Sequence, residues 1–340
     1  MQEQWIRRRG GKTRFRYEAP NGRAVADAET LARIAKLRVP PAWRDVHIAP
    51  TPARAIQAWG FDVRGRKQYR YNDRAVRVRE LRKHYRARQL GKSLPAIRRS
   101  LRRASMRRDQ SASTVSAIAL RLISETLFRP GGERYYRENG SHGITTLRKS
   151  HVSVEPDRVV FTYRGKSKQS QRHIVTNSEL RTLVQRMMQS PGHRLFRYEA
   201  DSSWCDLTAQ RLMAYVRTLG RFAVKDFRTW GATLRAAIVL AELGPAKSET
   251  EAKRNVAIAM RIVASELGNT PAICRSSYVH PIVIARYVDA GDTITLRSLH
   301  PAPDAFAHSG EERALIRFLD RHFPERRKPS RTRILTSRAA

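Results

Sequence analysis

The hydrophobic period changes along the chain, and that change limits the fold more than any other feature. Up to about residue 78, apolar and aromatic residues come in short alternating stretches, "TRFRYEAPNGRAV", "DVHIAPTP" and "ARAIQAWGFDVRGRKQYRY", separated by turn-forming Asn-Gly, Arg-Gly and proline pairs. From about residue 110 the spacing becomes helical. Val115, Ile118, Leu122 and Ile123 mark one face of a helix expected to stop near "RPGG". "HVSVEPDRVVFTYRGK" interrupts with strand-like alternation around a Glu-Pro-Asp turn, and then helices resume. Ser248 and Glu251 form a candidate capping box, followed by Val256, Met260, Val263 and Leu267 and ended by Gly268. A further helix is predicted to start at Thr270 with Pro271 in its first position, and a last one over about 310 to 323. The expected fold class is α+β, with a small β-rich N-terminal domain over 1–78 followed by a mostly helical domain over 110–324. A basic helical linker region over 79–109 joins them, and the tail over 325–340 has too little apolar content to need a fold.

Charge narrows the partner. Among 340 residues, 67 are Lys or Arg and 30 are Asp or Glu, a formal net charge of +37. High charge keeps proteins soluble, but its self-repulsion is better explained by a polyanionic partner, and nucleic acid fits. The run "RELRKHYRARQLGKSLPAIRRSLRRASMRRD" reads either as a solvated helical surface or as the join between two lobes that both face a phosphate backbone. Cys205 and Cys274 supply neither a zinc cluster nor a disulfide framework, so a reducing cytoplasm is the expected location. The first twenty residues are polar and no run of eighteen apolar residues occurs, so neither a signal peptide nor a membrane span is expected.

A protein that cleaves a phosphodiester must place cations or a metal around the nonbridging oxygens. No metal-ligand spacing or paired carboxylates stand out, which leaves isolated basic residues at the edges of predicted elements. Arg129 lies in "LFRPGGERYY", Lys166 in "YRGKSKQ" and Arg228 in "VKDFRTWGAT". Each alone reads as a surface cation. Their combination with the tyrosine segment "NTPAICRSSYVHPIVI", which carries Tyr278, argues against that reading.

In order along the chain, "PPAWRDVHI", "GRKQYRY", "RPGGERYYRENGSHGITTLRKSHV", "RGKSKQ", "KDFRTWGAT" and "GNTPAICRSSYVHP" resemble the type IB DNA topoisomerases, in particular the small bacterial group similar to the poxvirus enzymes. The resemblance runs from about residue 5 to 323. It implies a helical catalytic domain of the tyrosine recombinase and type IB topoisomerase kind, which with the N-terminal domain forms a clamp around double-stranded DNA. It also implies ATP-independent relaxation through a 3'-phosphotyrosyl intermediate, strand rotation and religation. Tyr278 would be the nucleophile, Arg129 and Arg228 would hold the nonbridging oxygens, and Lys166 would protonate the departing 5'-oxygen. Asn269 stands where the poxvirus pattern has histidine; it keeps a donor for a nonbridging oxygen, removes a cationic option, and could also cap the following turn. Neither ATP nor a metal is demanded, because the covalent bond preserves the phosphodiester energy and arginines take the metal's electrostatic role.

In "RGRKQYRY", alternation places Gln68 and Arg70 on one face of a strand and Tyr69 and Tyr71 on the other. Matching residues contact the major groove in the resembling viral enzymes, so Gln68, Tyr69 and Tyr71 are expected at DNA, with Tyr135 as a phosphate-side candidate. The tyrosines could instead pack a small β core. Asp226 reads as a cap or an arginine-orienting residue, His142 as a turn residue, and Cys274 as a buried small side chain. Tyrosine recombinases are the nearest alternative; they typically carry H-x-x-R where this chain has Lys225-Asp226-Phe227-Arg228, and often begin with a helical domain. A noncatalytic DNA-binding protein is the other alternative. A monomer associated with the nucleoid, with no obligatory protein partner, is the expected state.

Overall fold

In the computed structural model, residues 5–11, 14–296 and 302–323 are described, and the basic tail expected over 325–340 lies outside them. The chain separates into two compact units, Met1–Lys83 and His84–Ala340. The first contains β1 (Ile6–Gly10), β2 (Phe15–Glu18), α1 (Ala28–Lys36), β3 (Arg44–Ile48), β4 (Ile56–Phe61) and β5 (Lys67–Tyr71). These strands form one antiparallel sheet in the order β2-β1-β3-β4-β5, so β5 is an edge. One face closes over a small core of Ile6, Ile34, Val46, Ile48 and Ala58, with α1 supplying Ile34. Asp27 caps α1 by accepting from Thr30 N–H at 2.8 Å.

A 33-residue helix, α2 (Asp73–Ser105), carries the cationic run, and the division between units falls within it. It is more than a solvated surface. Leu90, Leu94, Ile97 and Leu101 recur at helical spacing and are buried in the core of the second unit, while the arginines between them take the other faces.

The second unit continues with α3 (Ala112–Thr126), α4 (Glu133–Asn139), the antiparallel strands β6 (Val152–Val154), β7 (Val159–Arg164) and β8 (Ser170–Val175), and α5 (Ser178–Met188). After a hairpin of β9 (Arg197–Ala200) and β10 (Ser203–Asp206) come α6 (Ala209–Thr218), α7 (Val224–Leu243), α8 (Glu249–Leu267), α9 (Pro271–Ser277), α10 (Pro281–Ala290) and α11 (Gly310–His322). The architecture is thus α+β, β-rich first and mostly helical afterwards. The apolar face predicted for α3 is buried throughout, and Ser111 caps its start. Leu127 then adopts a left-handed conformation, φ 59°, and ends the helix before "RPGG". Ser248 caps α8 as expected, but the Glu251 carboxylate reaches Lys247 N–H at 2.7 Å instead of closing the box on Ser248. Among the described residues, no helix is long and apolar enough to cross a membrane, and no group of three or more His, Cys, Asp or Glu could hold a metal ion.

Candidate active site

Tyr278 occupies the joint between α9 and α10. Thr270, and not Asn269, is the N-cap of α9, its hydroxyl accepting from Ile273 N–H at 3.3 Å, with Pro271 first in the helix. The Tyr278 N–H closes the last turn on Cys274 O at 3.0 Å, and His280 two residues on is already the N-cap of α10. Thr233 of α7 holds both sides of this joint. Its hydroxyl accepts from His280 N–H at 3.1 Å and lies 3.3 Å from Tyr278 O.

Arg228, near the start of α7, is only 2% exposed. Its Nη1 donates to Leu127 O and its Nη2 to Leu267 O at 3.1 Å. Those carbonyls belong to the C-terminal ends of α3 and α8, where unsatisfied acceptors and the helix dipoles favour a cation. Burial pulls the Arg228 guanidinium below its ordinary value, and the nearby phenol opposes that shift. Its centre lies 5.1 Å from the Tyr278 ring, and Lys225 Nζ lies 5.0 Å from the same ring. Burial alone would push the Tyr278 phenol up. The charge of Arg228, and then those of Lys225 and Arg129, outweigh burial and hold the phenol below its usual range.

Arg129 approaches from the loop after α3, fixed by Ile144 N–H donating to Arg129 O at 2.8 Å. Its Nη2 donates to Gly268 O at 2.6 Å and to Asn269 Oδ1. This orients the Asn269 amide. Asn269 Nδ2 and Arg228 Nε are both buried donors without a hydrogen-bond partner in the protein. Two orphaned donors beside a phenol are what an anion-binding pocket presents before its ligand arrives.

Tyr278, Arg228, Arg129 and Asn269 therefore converge. Lys166 does not touch them. It is exposed at the β7–β8 turn, where Ser167 and Lys168 have φ of 61° and 59°, and among the described residues its side chain makes no hydrogen bond or ion pair. Tyr135 stands 63% exposed on α4. In the other unit, Tyr69 and Tyr71 are 40% and 39% exposed on β5, their rings 6.0 Å apart, and neither belongs to the β core. Gln68, on the opposite face, donates from Nε2 to Asp62 Oδ2 at 2.9 Å.

Other residues complete the setting. Asp226 is wholly buried, caps α7 by accepting from Ala223 N–H at 2.7 Å, and takes a two-pronged hydrogen bond from Arg86 at 2.6 and 2.9 Å. It performs both tasks foreseen for it. His142 is bound at a turn, Nδ1 lying 2.6 Å from Thr146 O, and Cys274 is fully buried, which pushes its thiol up to about 11. Lys225 was readable as a neighbour of Arg228, since positions three apart share a helix face. Thr233, Arg86 and the two helix-end carbonyls left no comparable signal.

Residues 66–294, which include every residue singled out above as a nucleophile, phosphate ligand or DNA contact, match the family model described as eukaryotic DNA topoisomerase I, catalytic core. The chain belongs to the type IB DNA topoisomerase family. Residues 14–62 match a second model, bacterial DNA topoisomerase IB, N-terminal domain, which covers part of the β-rich unit. Among type IB relatives, DNA topoisomerase 1B of Acanthamoeba polyphaga mimivirus is 31% identical over 297 residues, covering 84% of this chain and 88% of that one. DNA topoisomerase 1B of Vaccinia virus is 24% identical over 245 residues, 68% of this chain and 72% of the relative. DNA topoisomerase I of Monkeypox virus is 23% identical over the same length and shares.

Proposed function

We propose that this type IB family member relaxes supercoiled duplex DNA without ATP. Tyr278 attacks one strand's phosphorus, releases a 5'-hydroxyl and holds the 3'-phosphate as a phosphotyrosyl ester; the free strand rotates about the intact one and is rejoined by the reverse reaction. The observation that carries this reading is the buried Arg228 guanidinium, fixed between two helix ends with its centre 5.1 Å from the Tyr278 ring, where its charge favours ionisation of the phenol. Being preorganised, it stabilises charge developing on the nonbridging oxygens with little rearrangement. Arg129 shares that task, and Asn269 adds a neutral donor. Lys166, on its projecting turn, supplies the proton that the poor 5'-alkoxide leaving group needs.

Gln68, Tyr69 and Tyr71 contact the groove and Tyr135 a phosphate, in a clamp to which the regions 1–78, 79–109 and 110–324 all contribute. The protein acts as a monomer at the nucleoid in the cytoplasm. The test is relaxation of positively and negatively supercoiled plasmid, with EDTA and without ATP, by the wild type and Tyr278→Phe. Both substrates should be relaxed by the wild type, with a protein-linked strand on a denaturing gel. Tyr278→Phe should lose both activities. DNA binding by the wild type without relaxation or adduct would refute the reading.

A further inference from the structure

The side chain of Gln171, on β8, fills the gap between two glycines that each precede a proposed catalytic residue: Gly165 before Lys166, and Gly268 before Asn269. A methyl group added at Gly165 would come within 2.6 Å of Gln171 Cγ. One added at Gly268 would meet Gln171 Oε1 at 2.0 Å and Cδ at 2.7 Å. Gly165 has φ −90°, which any residue adopts, so the Gln171 stem, and not the backbone, demands glycine there. Gly268, at φ 61°, combines that closeness with a left-handed helix end. Gln171 is 9% exposed, pairs across the sheet with Tyr163, and donates from Nε2 to Ser170 O at 3.2 Å. It is a fixed spacer between the turn that carries Lys166 and the corner whose Gly268 O and Asn269 Oδ1 accept from Arg129.

We propose that Gln171 is a positioning residue for leaving-group protonation, setting the Lys166 turn against the Gly268–Asn269 corner. The proposal rests on the reaction given above. In that step the Tyr278 Oη–phosphorus bond forms and the phosphorus–O5' bond breaks. The 5'-oxygen takes a proton from Lys166 Nζ, and the phenol proton passes to water. Because the Lys166 side chain has no hydrogen bond or ion pair of its own among the described residues, its reach is set by the turn beneath it. A displacement of about 1 Å at a reacting group can cost about a hundredfold in rate.

The test is single-turnover adduct formation on two duplexes that differ only in the scissile 5' atom, one oxygen and one sulfur. A thiolate leaves without a proton, so the sulfur duplex bypasses the lysine. Gln171→Ala should slow cleavage of the oxygen duplex at least about tenfold, yet cleave the sulfur duplex within about threefold of the wild type. Normal cleavage of sulfur would also show an intact fold and nucleophile. Gln171→Met, which keeps the bulk of the stem, should recover most of the oxygen rate. Equal slowing on both duplexes, or no slowing on either, would overturn the proposal. Lys166→Ala separates the levels: if sulfur rescues it but not Gln171→Ala, this proposal alone falls. If sulfur fails to rescue Lys166→Ala, the role of Lys166 falls and this proposal with it. A wild type that forms no adduct on either duplex would remove the topoisomerase reaction itself.

Discussion

Replacing Arg228 by alanine removes a guanidinium that serves two helix ends and a phenol at once. With its side chain 2% exposed, the loss leaves Leu127 O and Leu267 O without their donor. An unsatisfied buried acceptor costs about 1–3 kcal/mol, and water entering the vacated space offsets part of that, so a net loss of about 2–4 kcal/mol is expected. For a unit of this size that corresponds to a fall of roughly 4–8 °C in Tm. The chemical step suffers more. Removing one preorganised donor from an oxyanion site typically costs about a hundred- to a thousandfold in rate, and the charge of Arg228 also helps hold the Tyr278 phenol below its usual range. Single-turnover adduct formation should therefore slow at least about a hundredfold, well below the Tm of the variant. Arg228→Lys should resemble alanine more than the wild type, because one compact ammonium cannot span two carbonyls and a phosphate oxygen. Adduct formation by Arg228→Ala within about threefold of the wild type would refute this account of the pocket.

Asp226→Asn breaks the hydrogen-bonded pair with Arg86 and weakens the cap of α7; since Arg86 is 41% exposed, a loss of about 1–3 kcal/mol is expected, read as a lower Tm, with slower cleavage because Arg228 lies half a turn away. Stability should also fall in acid: burial, reinforced by neighbouring cationic groups, holds His151 and His173 at about 4, against an ordinary 6.5. Between those values the unfolded chain binds protons that the folded protein refuses, so the contribution is fully present above about 6.5 and lost as pH falls towards 4. A Tm measured across that window should decline, and His173→Gln should flatten the decline.

Much of the fold was legible because its determinants are local. The apolar face of α3, the Ser248 cap and the Gly268 stop all lie within a few positions of what they control. The alternation of "KQYRY" likewise put Tyr69 and Tyr71 on one face of β5, and their exposure shows that the rings do not serve the core. The α9 cap fell to Thr270 because Asn269, one residue earlier, has its amide turned to Arg129.

Sequence by itself determined which side chains were available: a phenol, guanidinium groups, an ammonium and a basic surface, in an order shared with a known family. Tertiary structure decided what each one faces. Arg228 and Leu127 are 101 residues apart, Arg129 and Asn269 140, and Arg86 and Asp226 140. No periodicity reaches across such separations. Local spacing fixes the face on which a residue lies, but only packing the helices brings two of their C-terminal ends to one guanidinium, and sets Gln171 between two glycines distant in the chain.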